Sequence, residues 1–283
     1  MSQKPVVIYH KDCADGLAAA WCFWKQFGDS MEYHPGVYNE PAPDVYNRDI
    51  YLVDFSYKRD VVEEMCKFAN KVILLDHHKS ALEDLLDLAT LPNFDMTHSK
   101  EGTSGAIIAW NYVKSVTGHK RKLPVLLEHI QDRDMWWFKL PHTSEIMMAV
   151  FSYPFEIQTY DKLMGLNKSG IKGLVKEGAV LDRKFKMDLI KNIEATKREM
   201  EIAGYIVPVA NLNYIYASSG GDLLSKDKPF AATYYDTEKH RVFSLRSQKS
   251  GIDVSEIAKK FNGGGHRNAS GFKVDRDHPL AKN

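Results

Sequence analysis

The stretch Leu74-Leu-Asp76-His77-His78-Lys79-Ser80-Ala81 sets an acid and two adjacent histidines directly behind an apolar run. The arrangement recurs upstream. Pro5-Val-Val-Ile-Tyr9 leads into His10-Lys-Asp12-Cys13-Ala-Asp15-Gly16, and Ile50-Tyr-Leu-Val53 leads into Asp54-Phe-Ser56. If the apolar runs are neighbouring strands of one parallel sheet, their carboxyl ends open into a common crevice and these side chains converge there. Carboxylates and imidazoles packed at one sheet edge repel and desolvate one another unless cations hold them. Oxygen and imidazole donors suit Mn²⁺, and two such ions would exceed the charge of Asp15, Asp54 and Asp132. The surplus attracts phosphate, and a pair of ions primes water for in-line displacement at phosphorus.

The elements that must position these residues are legible as strand and helix in alternation. The three apolar runs, the last being Lys71-Val-Ile-Leu-Leu75, are short and rich in β-branched and aliphatic residues, as strands covered on both faces are. Helical patterns follow each: Leu17 to Phe27; Val61, Val62, Met65 and Phe68 on one face; and a capping-box signature at Ser80 and Glu83 ahead of Leu82, Leu85 and Leu86. Helices near Ser104 to Val116 and Val125 to Gln131 extend the layer. The rhythm stops past Trp136, and a connection with Pro154, Gly165 and Gly170 leads to a long helix expected over Lys176 to Ala203. Strands are then expected at Ile206 to Val209, Ala231 to Tyr235 and Arg241 to Leu245, a helix at Val254 to Phe261, and an edge strand at Gly271 to Val274. The fold class is α/β: a parallel-sheet catalytic domain over residues 1–150, a connector with its helix over 151–204, a smaller α/β substrate domain over 205–283, and a cleft between the two domains.

Composition narrows the partners. With 283 residues the chain can bury two cores, and 38 Lys and Arg against 37 Asp and Glu leave no global field to hold a long nucleic acid. A short nucleotide is the expected partner, with no long nucleic acid and no membrane, and homodimerisation is compatible with the sequence. Three cysteines and no charged-then-apolar leader point to a cytoplasmic protein without a disulfide framework. Cys22 and Cys66 lie on apolar helical patterns and read as core thiols.

In the second half, Gly263, Gly264 and Gly265 permit close backbone approach, and their amides beside His266 form an anion-binding concavity. Arg246 ends a strand and can fork onto a phosphate or carboxylate. Ser104 either caps its helix or lends a hydroxyl to phosphate. Trp136-Trp137-Phe138 reads as core in preference to a base-stacking surface.

Together these motifs resemble the DHH phosphoesterase superfamily: the triplet Asp76-His77-His78, the His-then-Asp motif at His10 to Gly16, Asp54, and Gly263-Gly264-Gly265-His266 with Asn268-Ala-Ser-Gly271, which is similar to the signature of the DHH-associated substrate domain. The resemblance implies two Mn²⁺ ions, other divalent metals being compatible, and hydrolysis of a phosphoester on a short nucleotide. It implies one ion on His10, the first acidic position and Asp54, and the other on Asp15, a bridging Asp54, His77 and a later Asp, with Asp132 favoured and Asp134 the substitute. Asp76 would fix the tautomer of a metal-bound histidine, and His78 would face the scissile phosphate. The first acidic position departs from the common Asp-x-Asp spacing: Cys13 occupies it, as in a subset similar to His-x-x-Cys-x-Asp-Gly, with Asp12 as the alternative. Arg246, Gly264, Gly265 and His266 would grip substrate. The expected activity is phosphodiesterase action on short oligoribonucleotides or linear dinucleotides, with cyclic dinucleotides, bisphosphorylated nucleosides or an inactive nucleotide-binding module as alternatives.

Overall fold

The computed structural model describes residues 3–38 and 40–282 and divides the chain into two units, 1–182 and 183–283. The first unit runs β1 (Val6–His10), α1 (Ala14–Phe27), β2 (Glu32–Gly36), β3 (Asp49–Val53), α2 (Arg59–Phe68), β4 (Lys71–Leu75), α3 (Lys79–Leu85), β5 (Phe94–Asp95), α4 (Gly105–Thr117), α5 (Val125–Asp134), α6 (Thr143–Val150) and α7 (Ile157–Met164). Helix α8 (Lys168–Thr196) carries the chain across the division.

Its five strands form one all-parallel sheet in the order β2-β1-β3-β4-β5. The apolar runs alternate between two cores. Val7, Val53, Ile73 and Leu75 face the core built with α1, α4, α5, α6 and α7, while Val6, Ile8, Ile50, Leu52, Val72 and Leu74 face the core built with α2 and α3. Strands buried on both faces need apolar residues at every position, which is why these runs do not alternate with polar ones. Chain order reverses beside β1, with β2 on one side and β3 on the other, so the ends of β1 and β3 flank a topological switch point. Cys22 and Cys66 are buried free thiols, one in each core, as expected.

The second unit continues with β6 (Arg198–Ile202), β7 (Tyr205–Asn211), α9 (Ala217–Leu224), β8 (Ala231–Asp236), β9 (His240–Arg246), α10 (Val254–Lys259), β10 (Gly264–His266), β11 (Ala269–Asp275) and α11 (Pro279–Lys282). Its sheet has the order β10-β11-β9-β8-β7-β6, antiparallel except for the β7–β8 pair. Val254, Ile257 and Ala258 of α10 cover one face against Phe243, Leu245 and Phe272. Leu189 from the end of α8 and Leu224 of α9 pack on the other against Ala210 and Ala231. Among the described residues no helix is long and apolar enough to cross a membrane.

The mixed α/β architecture is the expected one, and four local expectations are corrected. The long helix begins eight residues earlier than its expected start at Lys176 and stops at Thr196. Met200 and Ile202 are buried between exposed Glu199 and Glu201, a period of two that makes Arg198–Ile202 a strand. The turn at Ala203 and Gly204, both with positive φ, folds that strand back onto β7. Strand β11 lies inside its sheet, because the glycine-rich segment, for which no strand was expected, pairs with it as β10 and takes the edge. Ser80 does not open a capping box: α3 begins at Lys79, with His78 in the capping position. Strand β2 is absent from the expectation since Glu-Tyr-His-Pro-Gly has no apolar run, and an edge strand tolerates its proline.

Candidate metal centre

The ends of β1, β3 and β4 meet at the N-terminus of α4 and the C-terminus of α5. Asp54, the residue after β3, adopts φ 51° and is 1% exposed. Its two carboxylate oxygens face different partners. Oδ1 lies 3.1 Å from His77 Nε2, while Oδ2 lies 3.4 Å from Cys13 Sγ and 3.9 Å from His10 Nδ1. Around Oδ1 stands a second group in which His77 Nε2 is 3.8 Å from Asp15 Oδ2 and 3.6 Å from Asp134 Oδ2. Two donor sets result, His10, Cys13 and Asp54 on one side and Asp15, His77 and Asp134 on the other, with the donor atoms of each set within 4.8 Å of one another.

The backbone makes this approach feasible. A Cβ on Gly105 would stand 2.5 Å from Asp54 Cβ, and one on Gly16 would stand 2.5 Å from the His10 carbonyl oxygen, so both positions require glycine. Ser104 caps α4, its Oγ accepting from Ile107 N at 3.4 Å, and its hydroxyl also bonds Asp15. Ala106 N donates to Asp15 Oδ1 at 3.2 Å, which aims the positive end of α4 at the acids. Of the two sequence readings for Ser104, the cap is the one seen.

Electrostatics show why cations belong here. Burial and the charges of Asp54 and Asp134 push Asp15 well above the usual carboxylate range. Burial raises Asp134 as well, against the pull of His77. Burial opposes a charge on His77, yet the hydrogen bond to Asp54 and the charges of Asp134, Asp54 and Asp15 outweigh it and push His77 up to about 10. Burial would also raise Asp54, but its bond to His77 and the charges of His77, His78 and His10 drive it well below normal. Acids that hold a proton on a histidine this firmly would hold a divalent cation for the same reason. The donor set fits: Asp15 Oδ2 is buried with no hydrogen-bond partner among the described residues, and both oxygens of Asp54 point at other ligand types.

Asp76 is fully buried and works on the neighbouring residues. Its Oδ1 accepts from His77 N at 2.7 Å and from His78 N at 3.3 Å, and lies 2.7 Å from His78 Nδ1. The histidine it orients through the ring is therefore His78, not the metal-side His77. Burial opposes a charge on His78, but the charge and hydrogen bond of Asp76 raise its pKa.

Asp132 is not brought to the cluster. Its oxygens accept from Lys139 N at 2.9 Å, Leu140 N at 3.0 Å and Thr143 Oγ1 at 2.6 Å, and Thr143 Oγ1 also lies 2.8 Å from His129 Nδ1. Two residues apart in the last turn of α5, Asp132 and Asp134 point about 200° apart around the axis, so one of them at most faces the sheet ends. Asp134 takes the expected ligand place. Asp12 is exposed, with φ 53°, and belongs to neither donor set, which leaves the first acidic position to Cys13. The aromatic run is not core either: Trp137 and Phe138 are each 40% exposed on the loop after α5.

In the second unit, Arg246 ends β9 and pairs with Ala269 of β11, which pairs in turn with His266 of β10. Arg246 and His266 thus share one row of the sheet, two strands apart, about 10 Å by strand spacing. Gly264 and Gly265 lie in the same edge strand. Arg246 Nη2 donates to Ser218 Oγ at 2.8 Å on α9, a contact the sequence did not signal because Ser218-Ser-Gly-Gly221 has no helical apolar pattern.

Residues 219–281 match the family model described as the DHHA1 domain. An uncharacterized protein of Acanthamoeba polyphaga mimivirus is 29% identical over 299 residues, covering 95% of this chain and 67% of that protein. The exopolyphosphatase-related protein of Bacteroides fragilis shares the fold at TM-score 0.56 and 16% identity, over 99% of this chain and 89% of that one. A structure described as the pGpG-specific phosphodiesterase PggH, from Vibrio cholerae, does so at TM-score 0.50 and 14% identity, over 96% and 94%. A DHHA1 domain over residues 219–281 follows the parallel sheet that ends in Asp76-His77-His78, and the chain shares its α/β fold with these two structures.

Proposed function

We propose that the protein is a metal-dependent phosphodiesterase that hydrolyses short oligoribonucleotides or linear dinucleotides to mononucleotides. The observation that carries this reading is Asp54, whose two oxygens face separate donor sets, as a carboxylate shared by two cations would. His10, Cys13 and Asp54 would hold one ion, and Asp15, Asp54, His77 and Asp134 the other. Such ions, when bound, supply positive charge at a phosphoryl group and acidify water. Oxygen and imidazole donors favour Mn²⁺ at the second set, and Cys13 softens the first toward Zn²⁺ or Fe²⁺.

The remaining work falls to the chain. Asp76 turns the His78 ring and favours its protonated form, so that His78 would steady the charge gathering on phosphate oxygens and protonate the leaving oxygen. Arg246 and the backbone of Gly264, Gly265 and His266 in the second unit would bind the ligand. The DHHA1 match supports a substrate role for this unit, and the fold shared with a phosphodiesterase described as specific for pGpG supports a linear dinucleotide.

A panel of linear dinucleotides, longer oligonucleotides, cyclic dinucleotides and bisphosphorylated nucleosides, incubated with the Mn²⁺-loaded protein, tests the proposal. Mononucleotides should appear fastest from two- to four-residue substrates. Turnover of cyclic dinucleotides or bisphosphorylated nucleosides alone, or of nothing, rejects the stated specificity.

A further inference from the structure

Arg133 stands between Asp132 and Asp134, and neither acid pairs with it. Among the described residues its guanidinium makes no hydrogen bond and no ion pair, and the residue is half-buried. Rings hold it instead. Its Cζ lies 4.3 Å from the centre of the Trp136 ring, 5.8 Å from Phe138 and 6.0 Å from Phe151, the closest of these at cation–π distance. Trp136 and Phe138 reach these places with φ of 55° and 47°, a left-handed backbone that costs a non-glycine residue about 1–3 kcal/mol. The loop is kept in that shape by Asp132, which accepts from Lys139 N, Leu140 N and Thr143 Oγ1. A strained loop locked by a buried carboxylate thus serves to fix the plane of one guanidinium.

Its place explains the effort. The guanidinium is within electrostatic reach of Asp134 in one donor set and Cys13 in the other, and it stays protonated at neutral pH. An arginine whose N–H donors meet no protein acceptor keeps them available to a ligand acceptor. Trp136 covers one face of the guanidinium and leaves its N–H edge, the edge that forks onto tetrahedral oxyanions.

We infer that Arg133 contacts the substrate, binding two oxygens of a phosphoryl group beside the metal centre with its guanidinium plane set by Trp136. This rests on the reading of the site as a phosphoesterase. Arg246 of the second unit, by contrast, spends donors within its own unit, on Leu245 O and Ser218 Oγ.

The full-length Arg133→Met, Arg133→Lys and Trp136→Leu proteins, loaded with Mn²⁺, decide the matter through three measurements: metal affinity, kcat/KM on a linear dinucleotide, and calorimetric affinity for inorganic phosphate. Arg133→Met should bind Mn²⁺ as the wild type does, lose on the order of 100-fold in kcat/KM, and bind phosphate at least 10-fold more weakly. Arg133→Lys should recover less than a tenth of the loss, since an ammonium cannot fork, and Trp136→Leu should fall between. Two results overturn the inference: phosphate affinity and kcat/KM within twofold of wild type in Arg133→Met, or metal affinity lost in parallel with activity, which would make Arg133 a support for Asp134. Should the wild type hydrolyse no phosphoester, the functional reading fails by itself. The phosphate titration then still decides Arg133, with equal affinities in wild type and Arg133→Met counting against it.

Discussion

Asp132 and Asp134 show how one residue type serves two ends within a single helical turn. Asp134 stands 3.6 Å from His77 Nε2 as a ligand candidate, whereas Asp132 closes the following loop through three accepted hydrogen bonds. The two substitutions should therefore separate. Asp134→Asn should weaken Mn²⁺ binding at least 10-fold with a small change in melting temperature. Asp132→Ala should lower stability on the order of 3 kcal/mol, because buried donors lose a charged acceptor, while Mn²⁺ still binds to the folded protein. Metal titration and thermal denaturation of both variants check this, and interchanged phenotypes would refute the assignment. Cys13 belongs to the same scale: its sulfur sits 3.4 Å from Asp54 Oδ2, the oxygen that His10 also approaches.

At the level of elements, the switch between β1 and β3 decides where the acids meet, and the α4 N-terminus approaches them only because residue 105 is glycine. The second unit has its own strut. Asp236 at the end of β8 takes a two-pronged contact from Arg241 of β9, at 2.7 and 3.0 Å, and a further ion pair from Arg276 beyond β11. The Arg241 hydrogen bonds, ahead of burial, which opposes them, pull Asp236 down to about 2. A carboxyl whose folded pKa lies below its unfolded value of 3.8 adds stability above about pH 4, and that stability is lost as pH falls through 2. Asp236→Asn should then cost on the order of 1 kcal/mol at pH 7, a modest figure because the side chain is 30% exposed. The gap to wild type should narrow between pH 4 and pH 2. Urea melts at pH 7, 4 and 2.5 measure it, and a gap independent of pH would remove the ion pair as its cause.

For the whole molecule, ions that bind the folded chain and not the unfolded one stabilise it by mass action, about 4 kcal/mol per site at a thousandfold excess over Kd. The effect should be large here because Asp15, Asp54 and Asp134 crowd around one histidine, and burial raises the pKa of Asp15 and Asp134. Mn²⁺ should raise the melting temperature by several degrees, and a chelator should reverse it. Equal melting with and without Mn²⁺ would mean that the converged acids are no cation site. Thirty-eight basic against 37 acidic residues give no global field, so the proposed substrate recognition would fall to local contacts such as Arg133 and Arg246.

The chain's linear order already determined the strands that lead to the candidate site, since uninterrupted aliphatic runs such as Lys71–Leu75 have no alternative to double burial, and each ends in acids or histidines. It likewise marked Asp54, His77 and Arg246 by residue type at a strand end. Contacts made across the chain decided the rest. Whether Asp132 or Asp134 faces the sheet depends on the rotation of α5, which packing against α6 and the Thr143 hydroxyl sets and which neighbouring residue types do not encode. The glycine segment became strand β10 because β11 offered it a pairing edge, and Arg198–Ile202 left the helix because β7 did the same. Tertiary structure alone gathered Arg133, Trp136, Phe138 and Phe151 into one assembly, because a left-handed loop backbone brings together rings that no periodicity in the sequence relates.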